Sequence, residues 1–305
     1  MLLAAIAMLT WATLPVVLTL ALVYLDPWTL TWFRFLVAAV VLSVWLLRRG
    51  VLASAGGRPS RKLWPLLLVA ALTLSANYML YILGLELTTP AVAQVLIQMA
   101  PVLMGLGGIW LFGERYSNSQ WAGFAILVMG LVVFFRTQLG SFTAGDEQLW
   151  QGALLILLGS IAWATYAMVQ KRLLKDYSSE AVMVFIYVFA TIAIFPATEP
   201  SSLMGLAPIA WPLIAFCALN TLVAYSAFAE ALNHWEASRV SAVLALTPLA
   251  TLAFVMSVEW LYPGVLPPEH LDWLSLTGAG LVVTGSLVTS LTGRKARKDA
   301  VTSLE

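Results

Sequence analysis

Residues 84–135 read GLELTTPAVAQVLIQMAPVLMGLGGIWLFGERYSNSQWAGFAILVMGLVVFF, two apolar runs on either side of a short polar turn at Gly113-Glu114-Arg115. Each run has roughly the 20 apolar residues that cover a hydrocarbon core of about 30 Å. Pro101 sits near the middle of the first run, 13 residues before Glu114. The pattern returns 147 residues later, where Leu246-Thr247-Pro248-Leu249 leads to Glu259, 11 residues beyond Pro248. A glycine pair seven residues apart follows each time, Gly123 with Gly130 and then Gly278 with Gly285. The chain is one half written twice.

Working outward, composition gives the solvent. Of 305 residues 61% are hydrophobic and 10% are charged, against about 25% charged in a soluble domain. Such a chain cannot cover itself with polar surface in water, so lipid is its surroundings. Further apolar runs fall at about 2–24, 28–48, 64–86, 90–112, 118–136, 150–172, 179–197, 208–231, 237–260 and 273–292. The N-terminal run lacks a basic leader segment and is too long for a cleaved signal, so it reads as a retained first span. A lipid-exposed backbone must satisfy its own hydrogen bonds, which makes these runs helices. The expectation is an all-α membrane protein of ten transmembrane helices. Its parts are a first five-helix repeat over 1–137, an external linker over 138–149, a second repeat over 150–293 and a cytoplasmic tail over 294–305.

Charge sets the orientation. With a cytoplasmic N-terminus, 14 of the 16 basic residues fall on the cytoplasmic side, and only Arg34 and Arg136 lie outside. Basic segments resist translocation, so both termini are expected in the cytoplasm of a cell inner (plasma) membrane protein. Five crossings per half insert the second half upside down. Inverted repeats are the architecture in which a midplane site alternates between two faces.

The ordered set resembles the drug/metabolite transporter superfamily in its EamA-type branch. It comprises a tandem five-helix repeat, Trp11-Ala12-Thr13 matched by Trp163-Ala164-Thr165, and the proline-to-glutamate runs. The resemblance covers about residues 2–292 and implies a ten-helix inner-membrane carrier, usually an exporter of amino acids, related metabolites or drugs. This chain departs from the pattern where Glu259 follows Ser257-Val258 rather than a glycine, and where LYPGVLPPEHLD is inserted after it.

Polar side chains inside spans are costly and turn toward a bundle interior or wet cavity. Asn77 and Tyr81 share a face with Tyr78 beside them; Gln94, Gln98 and Pro101 share another; Trp163 and Tyr166 lie together, as do Asn220 and Tyr225. With Trp11, these form the expected substrate-binding set. Tryptophans near span ends read instead as interface anchors. Asn, Gln and Thr can equally act as helix-to-helix glue, at about 0.6 kcal/mol per hydrogen bond. Gly123 and Gly130 read as close-packing positions. Pro101 and Pro248 deprive the carbonyls of Ile97 and Leu244 of their helical partners and read as paired hinges.

Enzyme readings do poorly. His234 and His270 fall on opposite faces, and HExxH, GxSxG and phosphate-loop motifs are absent. No catalytic residue, metal site or cofactor is expected. The partners expected are a small-molecule solute and the lipid bilayer, without nucleic acid, for a monomer or weak homodimer. The function expected is secondary export of amino acids or related metabolites by alternating access. A multidrug or lipophilic-cation exporter and a channel-like conduit are the alternatives. With no fixed charge counted at chamber depth, the solute is expected to be uncharged or zwitterionic, with an apolar or aromatic part.

Overall fold

The computed structural model describes residues 2–48, 63–100, 103, 107, 117–142, 147–234, 243–244, 246–268 and 272–302. Among them every regular element is a helix. In chain order these are α1 (Leu2–Leu22), α2 (Pro27–Arg48), α3 (Trp64–Glu86), α4 (Pro90–Leu96), α5 (Asn118–Phe142), α6 (Glu147–Leu173), α7 (Ser179–Ile194), α8 (Ala210–His234), α9 (Thr247–Leu261) and α10 (Trp273–Thr302). Five are long and apolar enough to cross a membrane: α1, α2, α3, α6 and α7 with its 3₁₀ extension to Ala197. Shorter apolar stretches lie in α5, α8, α9 and α10.

The helix starts follow from local chemistry. Oδ1 of Asp26 accepts the backbone N–H of Trp28 and of Thr29 at 2.9 Å each, which caps α2. Ser178 caps α7 through Ala181 N at 3.3 Å. Ser117 and Gln120 form a reciprocal capping box at α5, at 2.9 and 3.3 Å. Asp272 accepts from Ser275 N at 2.8 Å and caps α10. Each cap satisfies N–H groups that the first turn of a helix leaves orphaned.

Two spans are interrupted near their prolines. α4 ends at Leu96, the chain turns through Ile97 and Gln98 and is helical again at Met99 and Ala100; Val243 and Leu244 are helical, and α9 opens at Thr247 with Pro248 in its first turn. A proline clashes with the carbonyl four residues before it, and there the regular ladder ends. The carbonyls so released find nearer donors. Ile97 O accepts from Ala100 N at 2.9 Å, and Leu244 O accepts from the Thr247 hydroxyl. Pro101, Gly105, Gly108, Glu114 and Arg115 lie outside the described residues. Glu259 closes the inserted loop by accepting from the N–H of Gly264, whose φ of 79° suits a residue without a Cβ. At other boundaries α5 continues to Phe142, and α10 runs on to Thr302.

Packing crosses between the halves and is reciprocal. α1 packs on α8 and α3 on α6; α2 meets α7, α4 meets α9 and α5 meets α10. The α5–α10 crossing is antiparallel and closed by glycine on both sides. A Cβ built on Gly130 would lie 2.6 Å from Val282 N and 2.8 Å from Gly278 O, and one on Gly123 would lie 2.9 Å from Gly285 O. The α3–α6 crossing repeats this with Gly84 and Gly152. Apolar side chains gain little by leaving lipid for protein, so close backbone approach and dispersion hold such pairs together.

Candidate functional site

One buried charge dominates the interior. Arg34 is 3% exposed, and it is the one charged side chain among the residues whose burial is described that lies inside the bundle. It stands seven residues into α2, about 10 Å from the helix start at 1.5 Å per residue. Its Nε donates to the carbonyl of Cys217 on α8 at 3.2 Å, and its guanidinium lies 4.9 Å above the ring centroid of Tyr78 on α3. The described residues supply no carboxylate and no further hydrogen-bond partner for it. This overturns the expectation of a chamber without fixed charge. Arg34 had been counted with the outer-side residues because a loop tally ignores depth. The signal that finds it is a cation embedded in the run Trp32-Phe33-Arg34-Phe35-Leu36.

Around Arg34 the helices bring together a tyrosine cluster. Tyr78, Tyr166, Tyr187 and Tyr225 lie within electrostatic range of one another, from α3, α6, α7 and α8. Tyr225 and Thr221 are the polar neighbours of the Tyr78 hydroxyl. Phe35 packs on Tyr78 at 4.7 Å and on Tyr187 at 6.0 Å between ring centroids. Trp11 of α1 joins through an edge-on contact with Tyr225 at 5.5 Å and also touches Phe228. Tyr187 was absent from the sequence reading. A lone tyrosine in the run Val184-Phe185-Ile186-Tyr187-Val188 gives no face pattern to read.

The other expected residues fall into two groups. Tyr81 and Gln94 meet at 3.5 Å between hydroxyl and amide oxygen, and Tyr166 donates to the Met183 sulfur at 3.2 Å. Gln98 is buried beside them in sequence, and Trp163 is half-buried against the main core. Asn77 and Asn220 are buried, but their amide N–H groups are committed to backbone. Asn77 donates to Gly159 O at 2.9 Å, and Asn220 to Thr10 O at 2.7 Å. Each clasps the third helix of one half to the first helix of the other. Thr251 adds a bond from α9 to Ala12 O at 2.8 Å.

An apolar groove lined by Trp64, Leu67, Tyr177, Val182, Phe185 and Val188 lies apart from this cluster. Its one hydroxyl is that of Tyr177, which is buried without a hydrogen-bond partner among the described residues. No set of three or more His, Cys, Asp or Glu that could hold a metal ion occurs among the described residues.

The EamA-like transporter family matches residues 1–136 and again 150–291, so this chain belongs to that family. An uncharacterized transporter of Haemophilus influenzae is 31% identical over 288 residues, covering 94% of this chain and 93% of that protein. The uncharacterized inner membrane transporter YhbE of Escherichia coli K12 is 34% identical, covering 95% and 90%. A probable amino-acid metabolite efflux pump of the same organism is 26% identical over 97% of each chain. A crystal structure of 22% identity superposes with a TM-score of 0.66 over 97% of each chain, which shows a shared fold.

Proposed function

We propose that this member of the EamA-like transporter family is a secondary carrier that exports a small organic solute of the amino-acid kind across the cell inner membrane. The observation that carries this is the cluster of buried Arg34 and Tyr78 with half-buried Tyr225 and Trp11, drawn from helices of both halves. The reciprocal pairing of first-half with second-half helices supports ten spans arranged as two inverted five-helix repeats, over 1–137 and 150–293. Halves so related can rock about a site between them, which is alternating access. The interrupted helices next to Pro101 and Pro248 supply the joints. The bias of basic residues supports cytoplasmic termini. The name of the efflux-pump relative supports the amino-acid class.

Trp11, Tyr78, Tyr81, Gln94, Gln98, Trp163, Tyr166 and Tyr225 line the solute path, while Asn77 and Asn220 hold the two halves in register. Arg34 weighs against a lipophilic cation as solute. At about 5 Å and an effective dielectric near 20, two like charges repel by about 3 kcal/mol, more than the 0.5–2 kcal/mol an aromatic face returns.

The test is counterflow in proteoliposomes, with labelled neutral amino acids entering vesicles preloaded with the same solute. Saturable, protein-dependent accumulation that collapses without the internal solute is expected. Flux that rises linearly with concentration would instead identify a conduit.

A further inference from the structure

Arg34 carries more than its structural contacts require. A guanidinium has five N–H donors, and one of them, on Nε, is engaged by the Cys217 carbonyl. Within α8 that carbonyl also accepts the Thr221 hydroxyl at 3.3 Å. The two Nη groups carry the other four donors, and none of the hydrogen bonds shown between described residues uses them. An isolated cation in a low-dielectric interior is costly, so a group retained there calls for a counter-charge.

We infer that Arg34 is the anion-recognition group of the solute site, and that its Nη pair takes the carboxylate of a monocarboxylic or zwitterionic solute end-on. This rests on the carrier reading above and names what the carrier selects. The geometry suits a planar anion. The guanidinium carbon lies 4.9 Å from the Tyr78 ring centroid, and the Nε bond to Cys217 O leaves the Nη pair at the far end of the side chain. Two parallel N–H donors then match two carboxylate oxygens. The Thr221 and Tyr225 hydroxyls neighbour that of Tyr78.

A single buried cation balances a single negative charge, which selects a carboxylate over a dianionic phosphate or a dicarboxylate. The apolar remainder of the solute faces Phe35 and the Trp11–Tyr225 pair. No buried carboxylate stands among the residues whose burial is described, so an ammonium group on the solute has only aromatic faces and neutral dipoles to meet.

The test uses the full-length protein in nanodiscs and two matched series. Phenylalanine, 3-phenylpropionate and phenethylamine form one; leucine, 4-methylpentanoate and isoamylamine form the other. Binding is read by calorimetry, and folding by the thermal midpoint of the unliganded protein. In at least one series the acid and the amino acid should bind ten times more tightly than the amine. R34Q should abolish that preference in folded protein, and R34K should keep part of it by keeping the charge.

An amine that binds as well as its acid overturns the proposal. So does an R34Q protein that folds and retains acid affinity, or the failure of every acid to bind. If R34Q does not fold, the wild-type series and R34K decide the matter. Acids that bind without any counterflow would leave the site standing and remove the carrier. Counterflow of amines that is indifferent to R34K would leave the carrier and remove the site.

Discussion

The second helices of the two halves, α2 and α7, make the most informative pair in the molecule. Trp11 and Trp163 are 152 residues apart, and the same offset places Asp26 on Ser178 and Thr29 on Ala181. Asp26 caps Thr29 N just as Ser178 caps Ala181 N, so the register holds in the structure as well as in the sequence. Further along, Phe35 falls on Tyr187, and these two rings meet at 6.0 Å where the halves face one another. One residue earlier the symmetry ends. Arg34 falls on Ile186, and both are buried. The scaffold is duplicated while the charge is not. Helix geometry tolerates two copies of the same packing, whereas two buried guanidinium groups at one axis would repel each other across a few ångströms. The duplication repeats the packing, and the departure from it leaves one charge in the interior.

The duplicated part can be broken most severely at the α5–α10 crossing. A Cβ on Gly278 would collide with the backbone of Phe134, whereas one on Gly280 meets nothing within 4 Å. Gly278→Val is therefore expected to destabilise the protein by about 3 kcal/mol or more, at the upper end of overpacking costs. Gly280→Ala two residues away should leave stability unchanged. Thermal unfolding in detergent, with monodispersity by size exclusion, reads both. Equal behaviour of the two variants would show that the glycine seam does not hold the halves together.

The interrupted helices give the next effect. Pro248→Ala restores an N–H and should join α9 to the helical residues Val243 and Leu244, slowing counterflow several-fold while the protein remains folded. Pro101→Ala should slow it comparably, and cysteine accessibility should shift on the opposite membrane face, as the proposed inversion of the halves requires. Transport at the wild-type rate in both variants would reduce the breaks to static kinks.

A smaller effect is expected where the halves clasp each other. Asn77→Leu and Asn220→Leu each remove one bond to a backbone carbonyl, at Gly159 and Thr10. Each should cost about 1 kcal/mol, within the range for hydrogen bonds between membrane helices. The two costs should agree to within a factor of two. A much larger transport defect in one variant alone would sharpen the comparison, by showing that one amide also meets the solute.

The mildest contrast lies between the caps of α5 and α10, one neutral and one charged. The Ser275 N–H holds the exposed Asp272 carboxyl below the usual aspartate range. A depressed native value means that the cap contributes fully above the ordinary aspartate pKa and fades as pH falls through the native one. The Ser117–Gln120 box has nothing to titrate. Hydrogen exchange on acidification should therefore quicken at 273–277 and hold steady at 118–122, and Asp272→Asn should remove the difference. Equal acceleration at both ends would place the acid sensitivity elsewhere.

The wider legibility of this chain follows from the same physics. The spans over 64–86 and 179–197 match α3 and the α7 segment to the residue, because a bilayer demands a fixed apolar length, and Pro65 in the first turn of α3 and the Ser178 cap of α7 mark where they begin. The glycine pairs could be read as close-packing positions, since only a missing side chain lets two backbones approach so nearly. The turns at Ile97–Gln98 and Leu246 lie just before the two prolines, but their exact place was not legible, because hydropathy is blind to backbone hydrogen bonding. Asn77 was legible as an interior residue; its engagement with Gly159 O was not.

The amino-acid sequence by itself determined that the protein lives in lipid, that its elements are helices, that it is built by duplication and that it belongs among transporters. These are properties of composition and period, and each is local or repeats at a fixed offset. Tertiary structure alone decided what the interior contains. Arg34, Tyr78, Tyr187, Cys217 and Tyr225 lie up to 191 positions apart in the chain and meet only when α2, α3, α7 and α8 pack. Whether a charge counts as a loop residue or the centre of a site depends on its depth and partners. Both are set by helix packing, and no window of sequence contains them.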